Sequence, residues 1–376
     1  MSTTAATISP DLAGAVLDID LDAIAANFRL LRDTVYPAVC AGVVKADAYG
    51  CGIEQVAPAL WDAGCRIFFV AQISEGITLR TALPAAEIYI LSGLLPGTES
   101  TFEDHDLWPV LNDIGQIDAW SAHAKTHGAR TAIIHIDTGM NRLGLPPEEF
   151  ELLLSAPDRM SGIEVACFAS HLASADQPDS PQNQQQLDRF KNAMACLPGE
   201  KGSLANSSGI FLNNDYHFDL ARPGVALYGS NPTLHRSNPM HEVVKLTAKI
   251  IQLRQVEAPE AVGYGATYQI SGRRTIATVP VGYADGYLRS IGNQGYAIVA
   301  NTKVPVVGRV SMDLVTLDVT EVPTNQIGVG ISVTMIGGGV DIDELGASGG
   351  SMSYELLTSL GARYARRYHY SVKDSE

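Results

Sequence analysis

Residues 39–52 read VCAGVVKADAYGCG. An apolar, β-branched run closes on Lys45, and a glycine-containing loop follows. A buried parallel strand that opens into a loop at its C-terminal end has this pattern. Outward from it, similar short runs recur: IFFVA (67–71), IYILSG (88–93), WPVL (108–111), TAIIHID (131–137), IEVACFAS (163–170), SLANSS (203–208) and VALYG (225–229). Helical spacing separates them. Ile53, Val56 and Leu60 mark one helix, Ile117, Trp120 and Ala124 another, and Leu187, Phe190, Met194 and Leu197 a third. Eight such strands with helices between predict an N-terminal (β/α)8 TIM-like barrel. An open doubly wound sheet is the alternative, but it usually has fewer strands. Ahead of the strands, LDIDLDAIAANFRLLRDTV (17–35) sets Ile24, Phe28 and Leu31 at helical spacing and predicts an amphipathic helix.

After residue 238 the pattern changes. VVKLTAKIIQLRQV (243–256), TIATVPVGYA (275–284), YAIVA (296–300), VPVVGRV (304–310), LVTLDVT (314–320) and ISVTMIG (331–337) follow with few helical stretches. In LVTLDVT, Val315, Leu317 and Val319 alternate with Thr316, Asp318 and Thr320, the period of a half-buried strand. NPTLHRSNPM (231–240), with two prolines and two asparagines, reads as a linker. The predicted organisation is a barrel over 1–238 and a mostly β domain over 239–376, with the first 15 residues free to associate with the latter. YELLTSLGARYARRY (354–368) reads as a closing helix.

Composition bounds the function. The 376 residues are 46% hydrophobic and 18% charged, enough apolar surface for a large core and too much for global disorder. The net charge of −15 argues against nucleic acid as a partner. No apolar run is long enough to cross a membrane, and the first residues carry no basic stretch followed by an apolar one. Cys40, Cys51, Cys65, Cys167 and Cys196 are odd in number and form no Cys-x-x-Cys pair. They read as reduced thiols of a cytoplasmic protein rather than as a disulfide framework or metal site.

Several blocks carry chemistry. Lys45 at a barrel strand's end is either a desolvated amine suited to a Schiff base or a strand-end lysine that reaches solvent. HIDTGMNRLG (135–144) offers Arg142 as a two-pronged anion donor, or an ordinary turn before the helix of PPEEFELLL. FASHLASAD (168–176) offers His171, although a lone histidine is more often structural. LANSSG (204–209) and ARPGVALYG (221–229) supply Ser207, Arg222 and Gly224 after strands seven and eight, where barrels commonly bind phosphate. VGYGATY (262–268), VGYADGY (281–287) and GRVSMD (308–313) are rich in Gly and Tyr; tyrosine acts as an acid or base where cations lower its pKa, and otherwise such blocks are tight turns. IGGGVD (336–341) lacks the dinucleotide spacing.

Taken in order, these blocks resemble the alanine racemase family of barrel-type pyridoxal-phosphate enzymes. The resemblance runs from LDIDLDAIAANFRLL to YELLTSLGARYARRY and includes VVKADAYGCG, DTGMNRLG, SHLASAD, ANSSG, RPGVALYG, VGYGATY, VGYADGY and GRVSMD. It implies interconversion of L- and D-alanine, a supply of D-alanine for bacterial peptidoglycan, and a homodimer with shared active sites. By the same resemblance, Lys45 holds pyridoxal 5'-phosphate and is the base on one face, and Tyr264 is the base on the other. Tyr49, Ser207, Gly224, Val225 and Tyr354 contact the phosphate. Arg222 faces the pyridine nitrogen, with His171 packed on the ring nearby. Arg142 and Met312 meet the substrate carboxylate, Arg142 also reaches the cofactor's phenolic oxygen, and Tyr283 lines the entrance.

One position departs from the family. Many members carry a carbamate-modified lysine two residues before the Asp of the DTGM block, and here that residue is His135. No carbamate is expected, so support for Arg142 must come from another carboxylate, a bound anion, or nothing. The rival functions are a broad-specificity amino-acid racemase on the same scaffold, a related barrel decarboxylase, and a carrier of the cofactor.

Overall fold

The computed structural model describes residues 9–371. Its first domain is the ring of parallel strands. Gly42–Val43, Ile67–Val70, Glu87–Ile90, Trp108–Leu111, Arg130–His135, Ile163–Ala169 and Gly202–Ser203 form one seven-stranded sheet in chain order. Leu220–Ala221 pairs in parallel with Val39–Cys40, the lead-in to the first strand. On its other side, Asp219 N–H and Arg222 N–H donate to Gly202 O and Ala205 O, each at 2.9 Å. The sheet therefore closes on itself, with eight strand positions among the described residues. Helices Ile53–Asp62, Ile73–Ala82, Ile114–His127, Pro147–Ser155 and Pro181–Ala195 connect the strands. Phe68, Ile88, Ile133 and Phe168 from these strands are fully buried, as expected for strands covered on both faces.

The eighth strand is not VALYG. Val225–Tyr228 is a 3-10 turn, and the strand lies just upstream at Leu220–Ala221. A short run buried all round has no period, so apolarity alone cannot tell a strand from a tight helical turn.

The second domain is built on a six-stranded sheet and a three-stranded one. The larger has spatial order Thr302–Pro305, Tyr296–Val299, Ser332–Ile336, Val244–Lys249, Ala15–Asp20 and Ala365–His369. Gln252–Glu257, Arg273–Val279 and Val315–Asp318 make the smaller. Two expectations are corrected here. LDID is not the start of the first helix. Leu17 and Ile19 are buried while Asp18 and Asp20 are partly exposed, and this period of two makes a strand. Asp20 then caps the helix Leu21–Val35, accepting Ala23 N–H at 2.8 Å. Nor does the closing helix reach Tyr368. It spans Ser353–Ser359, stops before Gly361, and ARRYH becomes a strand parallel to Ala15–Asp20.

The chain thus starts in the β-domain sheet, runs through the barrel and returns. Asn27, buried in the first helix, holds the two parts together. Its Nδ2 donates to Leu227 O at 3.2 Å and His241 O at 3.0 Å, and its Oδ1 accepts His241 N–H at 2.7 Å. An Asn27→Leu variant keeps the branched heavy-atom shape and orphans those backbone groups, at about 1–3 kcal/mol for each one left unpaired. A lowered urea midpoint for the full chain is the expected result, and an unchanged midpoint would contradict it.

Candidate active site

A cavity of about 920 Å³ opens at the C-terminal ends of the barrel strands. The strand ends and the loops that follow line it with Lys45, Tyr49, His135, Arg142, His171, Ser207, Arg222, Gly224 and Val225. The segment Gly350–Tyr354 of the β domain forms part of its wall. Nine of the twelve candidate site residues converge here: Lys45, Tyr49, Arg142, His171, Ser207, Arg222, Gly224, Val225 and Tyr354.

Lys45 follows the strand Gly42–Val43 and begins an unusual turn. Ala46, Asp47, Ala48 and Tyr49 all have φ of 53° or 54°, one turn of left-handed helix without a glycine. Each such L-residue costs roughly 1–2 kcal/mol, so the surroundings must enforce the shape. Asp47 Oδ1 accepts Ile53 N–H at 2.8 Å, and Gly50 N–H donates to Ala46 O at 2.8 Å. The turn carries Tyr49 inward onto Tyr228, with ring centroids 4.7 Å apart, while Tyr228 Oη donates to Val43 O at 3.0 Å. Burial lowers the pKa of the Lys45 amine, nearby Arg142 lowers it further, and Glu75 opposes the shift.

On the strand end that neighbours Lys45 across the closing seam lies a small cup. Ser207 Oγ accepts Gly224 N–H at 2.9 Å and Ala226 N–H at 3.2 Å. The buried Val225 N–H has no protein partner among the described residues. Gly224 is needed for space: a Cβ there would sit 2.3 Å from Tyr49 Oη. Tyr354 approaches from the β domain, its ring centroid 6.4 Å from that of Tyr49, and burial raises its pKa to about 12. The cup therefore presents neutral hydroxyls and an unpaired backbone donor to an anion.

Arg222 is buried with neutral partners, Ser203 Oγ and the Ser170 carbonyl, the latter at 2.5 Å. Burial lowers its pKa to about 10, which leaves it charged at neutral pH. Burial and the neighbouring cations Arg222, Arg142 and Lys45 push His171 well below its usual pKa, so the ring beside Arg222 is neutral. The loop before Arg142 is drawn tight by Asp137, whose carboxylate accepts the N–H groups of Gly139, Met140 and Asn141 at 2.8, 2.9 and 3.0 Å. Arg142 itself makes no protein hydrogen bond among the described residues.

His135 is held at Nδ1, 2.7 Å from Asn112 Oδ1. The Asn112 amide nitrogen is spent on Val110 O at 2.8 Å and Leu91 O at 3.3 Å, so its oxygen faces His135 and accepts. The proton is thus on Nδ1 and the Nε2 lone pair is free. Burial, then Arg222, lower the His135 pKa to about 4. The position that departs from the family pattern therefore carries a neutral acceptor, not an anion. Asn112, Ser203 and Ser170 were not singled out from sequence. Asn112 follows WPVL directly, and a polar residue at a barrel strand's C-terminal end was the available signal.

Tyr264, Tyr283 and Met312 stand apart from the cavity, 70%, 42% and 53% exposed. Their segments nonetheless lie close together in the β domain. Ala284 N–H donates to Met312 O at 3.0 Å, Tyr283 N–H to Ser311 O at 3.0 Å, and Gly265 beside Tyr264 packs near the Arg309 guanidinium.

The fold is a closed parallel barrel, and the cavity at its strand ends holds a desolvated lysine together with a cup of hydroxyl and backbone groups. The alanine racemase N-terminal domain family matches residues 19–232 and its C-terminal domain family residues 243–368. The chain is 50% identical over 361 residues to the alanine racemase of Rhodospirillum rubrum, covering 95% of this chain and 96% of that one. It is 44% identical to that of Rhizobium meliloti, covering 94% and 96%. The crystal structure of alanine racemase from Bartonella henselae, with covalently bound pyridoxal phosphate, superposes with a TM-score of 0.91 at 39% identity, covering 95% of this chain and all (100%) of that one. The biosynthetic alanine racemase from Pseudomonas aeruginosa gives 0.90 at 32% identity, covering 96% and 100%. The chain belongs to the alanine racemase family.

His135 makes stability depend on pH. Its folded pKa, about 4, lies below the unfolded value of 6.5, so the unfolded state takes up the proton first. The stability from keeping the ring neutral is full above pH 6.5 and is lost as pH falls towards 4. Relative to a His135→Asn variant, the chain should lose about 3 kcal/mol over that window in denaturant titrations. Parallel curves for the two proteins would refute the assignment.

Proposed function

We propose that the chain interconverts L- and D-alanine with pyridoxal 5'-phosphate, by a two-base mechanism in a site shared between two copies of the chain. The observation that carries this reading is the convergence of Lys45, the Ser207–Gly224–Val225 cup and Arg222 on one cavity. The residues fit the cofactor. The cup offers a buried backbone N–H that lacks a partner, Gly224 leaves the space, and Lys45 supplies an amine with a lowered pKa. When bound, the cofactor supplies a sink for the electron pair left at Cα.

The residues of the chain do the rest. Lys45 Nζ would hold the cofactor covalently at rest and, once displaced by the substrate's amino group, would be free to take or return the α-proton on one face. Tyr264 Oη holds or accepts the proton on the other. Two bases on opposite faces racemise directly, whereas one would have to change sides. Tyr49, Ser207, Gly224, Val225 and Tyr354 bind the phosphate. Arg222 is assigned to the ring nitrogen. A guanidinium that stays protonated donates hydrogen bonds but accepts none, so it leaves that nitrogen without a proton. His171 packs on the ring, Arg142 and the Met312 backbone take the substrate carboxylate, and Tyr283 lines the entrance.

The shared site is supported by the exposure of Tyr264, Tyr283 and Met312 in neighbouring segments. In a homodimer each copy lends those segments to its partner's cavity. Residues 1–238 then supply most of the cofactor-binding residues, and 239–376 add Tyr354 to the same cavity while lending Tyr264, Tyr283 and Met312 to the neighbouring one. Four buried, unpaired cysteines suit the reducing cytoplasm. No described helix is long and apolar enough to cross a membrane. D-Alanine made here feeds peptidoglycan synthesis.

Borohydride reduction followed by peptide mapping should place a phosphopyridoxyl group on Lys45. Tyr264→Phe should lower D-alanine formation by about 10²–10⁴-fold while leaving that label intact. Mixing Lys45→Ala chains with Tyr264→Phe chains should restore one working site per heterodimer. No recovery despite demonstrated subunit exchange would place both bases within a single chain.

A further inference from the structure

Glu75 lies at the start of the helix Ile73–Ala82, and its carboxylate has two separate duties. Oε2 accepts Ala71 N–H at 2.7 Å and Gln72 N–H at 3.0 Å, which caps the helix in the ordinary way. Oε1 is not spent on the helix. It accepts Ala46 N–H at 2.6 Å, from the peptide that joins Lys45 to the left-handed turn. A carboxylate that only caps a helix does not need this contact with a segment 29 residues upstream.

We infer that Glu75 is a positioning residue for Lys45: its carboxylate clamps the Lys45–Ala46 peptide, imposes the left-handed turn and so aims the Lys45 amine into the cavity. The inference rests on the reading of Lys45 as the residue that carries the cofactor. The clamp acts on the turn from its first residue. Asp47 holds the same turn from within through Ile53 N–H, and Glu75 anchors it to the neighbouring barrel strand Ile67–Val70. The carboxylate also sets the charge around the amine. Arg142 disfavours the protonated amine, and Glu75 is the neighbour that favours it.

A Glu75→Gln variant separates the two duties. An amide keeps its oxygen on the helix cap only by turning its NH₂ towards Ala46 N–H, donor against donor. The full-length protein loaded with cofactor should then show amide exchange over residues 44–50 faster by roughly tenfold, the loss of one charge-assisted bond, with the helix 73–82 unchanged. Its dissociation constant for pyridoxal phosphate should rise by a similar factor. The pH midpoint for reloading Lys45 should move down, because removing an anion disfavours the protonated amine. Glu75→Asp keeps the charge but is one carbon shorter. It should bring the midpoint back towards the parent while exchange over 44–50 stays fast.

Faster exchange confined to 73–82, with cofactor affinity within twofold of the parent, would reduce Glu75 to a helix cap and overturn the proposal. If Glu75→Gln does not fold, the same two readouts on Glu75→Asp decide. Borohydride mapping of the unmutated protein judges the reading beneath. A label on some lysine other than Lys45 sinks that reading, and with it the functional part of this proposal, whereas the exchange data still decide whether the clamp exists.

Discussion

A ladder of backbone hydrogen bonds closes the barrel, and the site depends on it. Val39, Ala41 and Val43 donate to Asp219, Ala221 and Pro223 at 2.8, 2.9 and 3.0 Å. They join the first strand to the last across most of the first domain. Without them Lys45 and the Ser207–Gly224 cup would lie at opposite edges of an open sheet. With them, Tyr49 packs so close to Gly224 that no other residue fits at position 224. The left-handed turn after Lys45 belongs to the same constraint. It redirects the chain within a few residues, so that Tyr49 returns to the ring instead of running out along a helix.

The electrostatics of the cavity run against those of the chain. The protein carries −15, yet its cavity gathers Lys45, Arg142 and Arg222. The two histidines between these cations are held neutral, with the His135 pKa lowered to about 4 and that of His171 depressed by burial and the same neighbours. Neutral rings keep the local charge from rising further and fill the space between guanidinium groups without repelling them. Under the proposed function, a dianionic phosphate and a substrate carboxylate enter a site whose positive charge comes from three side chains on separate strands or loops. The cup proposed for the phosphate has no cation of its own and offers hydroxyl and backbone donors instead.

Much of this was legible in the sequence, and the exceptions have two physical causes. Period and strand count predicted the barrel, because buried parallel strands make continuous apolar runs with helices between. The family blocks named nine residues that share the cavity. The failures lie where a short segment answers to its tertiary partner. VALYG is as apolar as a strand but folds into a 3-10 turn under Gly224, and ARRYH leaves the closing helix to pair with Ala15–Asp20. LDID was absorbed into a helix because its alternation is only four residues long. Asn112, Ser203 and Glu75 were missed for another reason. Each acts through a hydrogen bond to a residue at least 19 positions away, and no local pattern records such a pairing.

Tyr264 raises a different question, because a base must be shielded from water to act on one substrate face. In a single chain it is 70% exposed, so water has free access to its hydroxyl. The cavity, by contrast, is enclosed by the barrel strand ends and is lined by Lys45, Arg142 and Arg222. Under the shared-site proposal, assembly does two things in one step. It removes Tyr264 from water, and it brings the phenol towards Lys45 and Arg142 of the other copy. Each copy then has a lysine without its tyrosine until it meets another, so the second base becomes competent only where the first already waits.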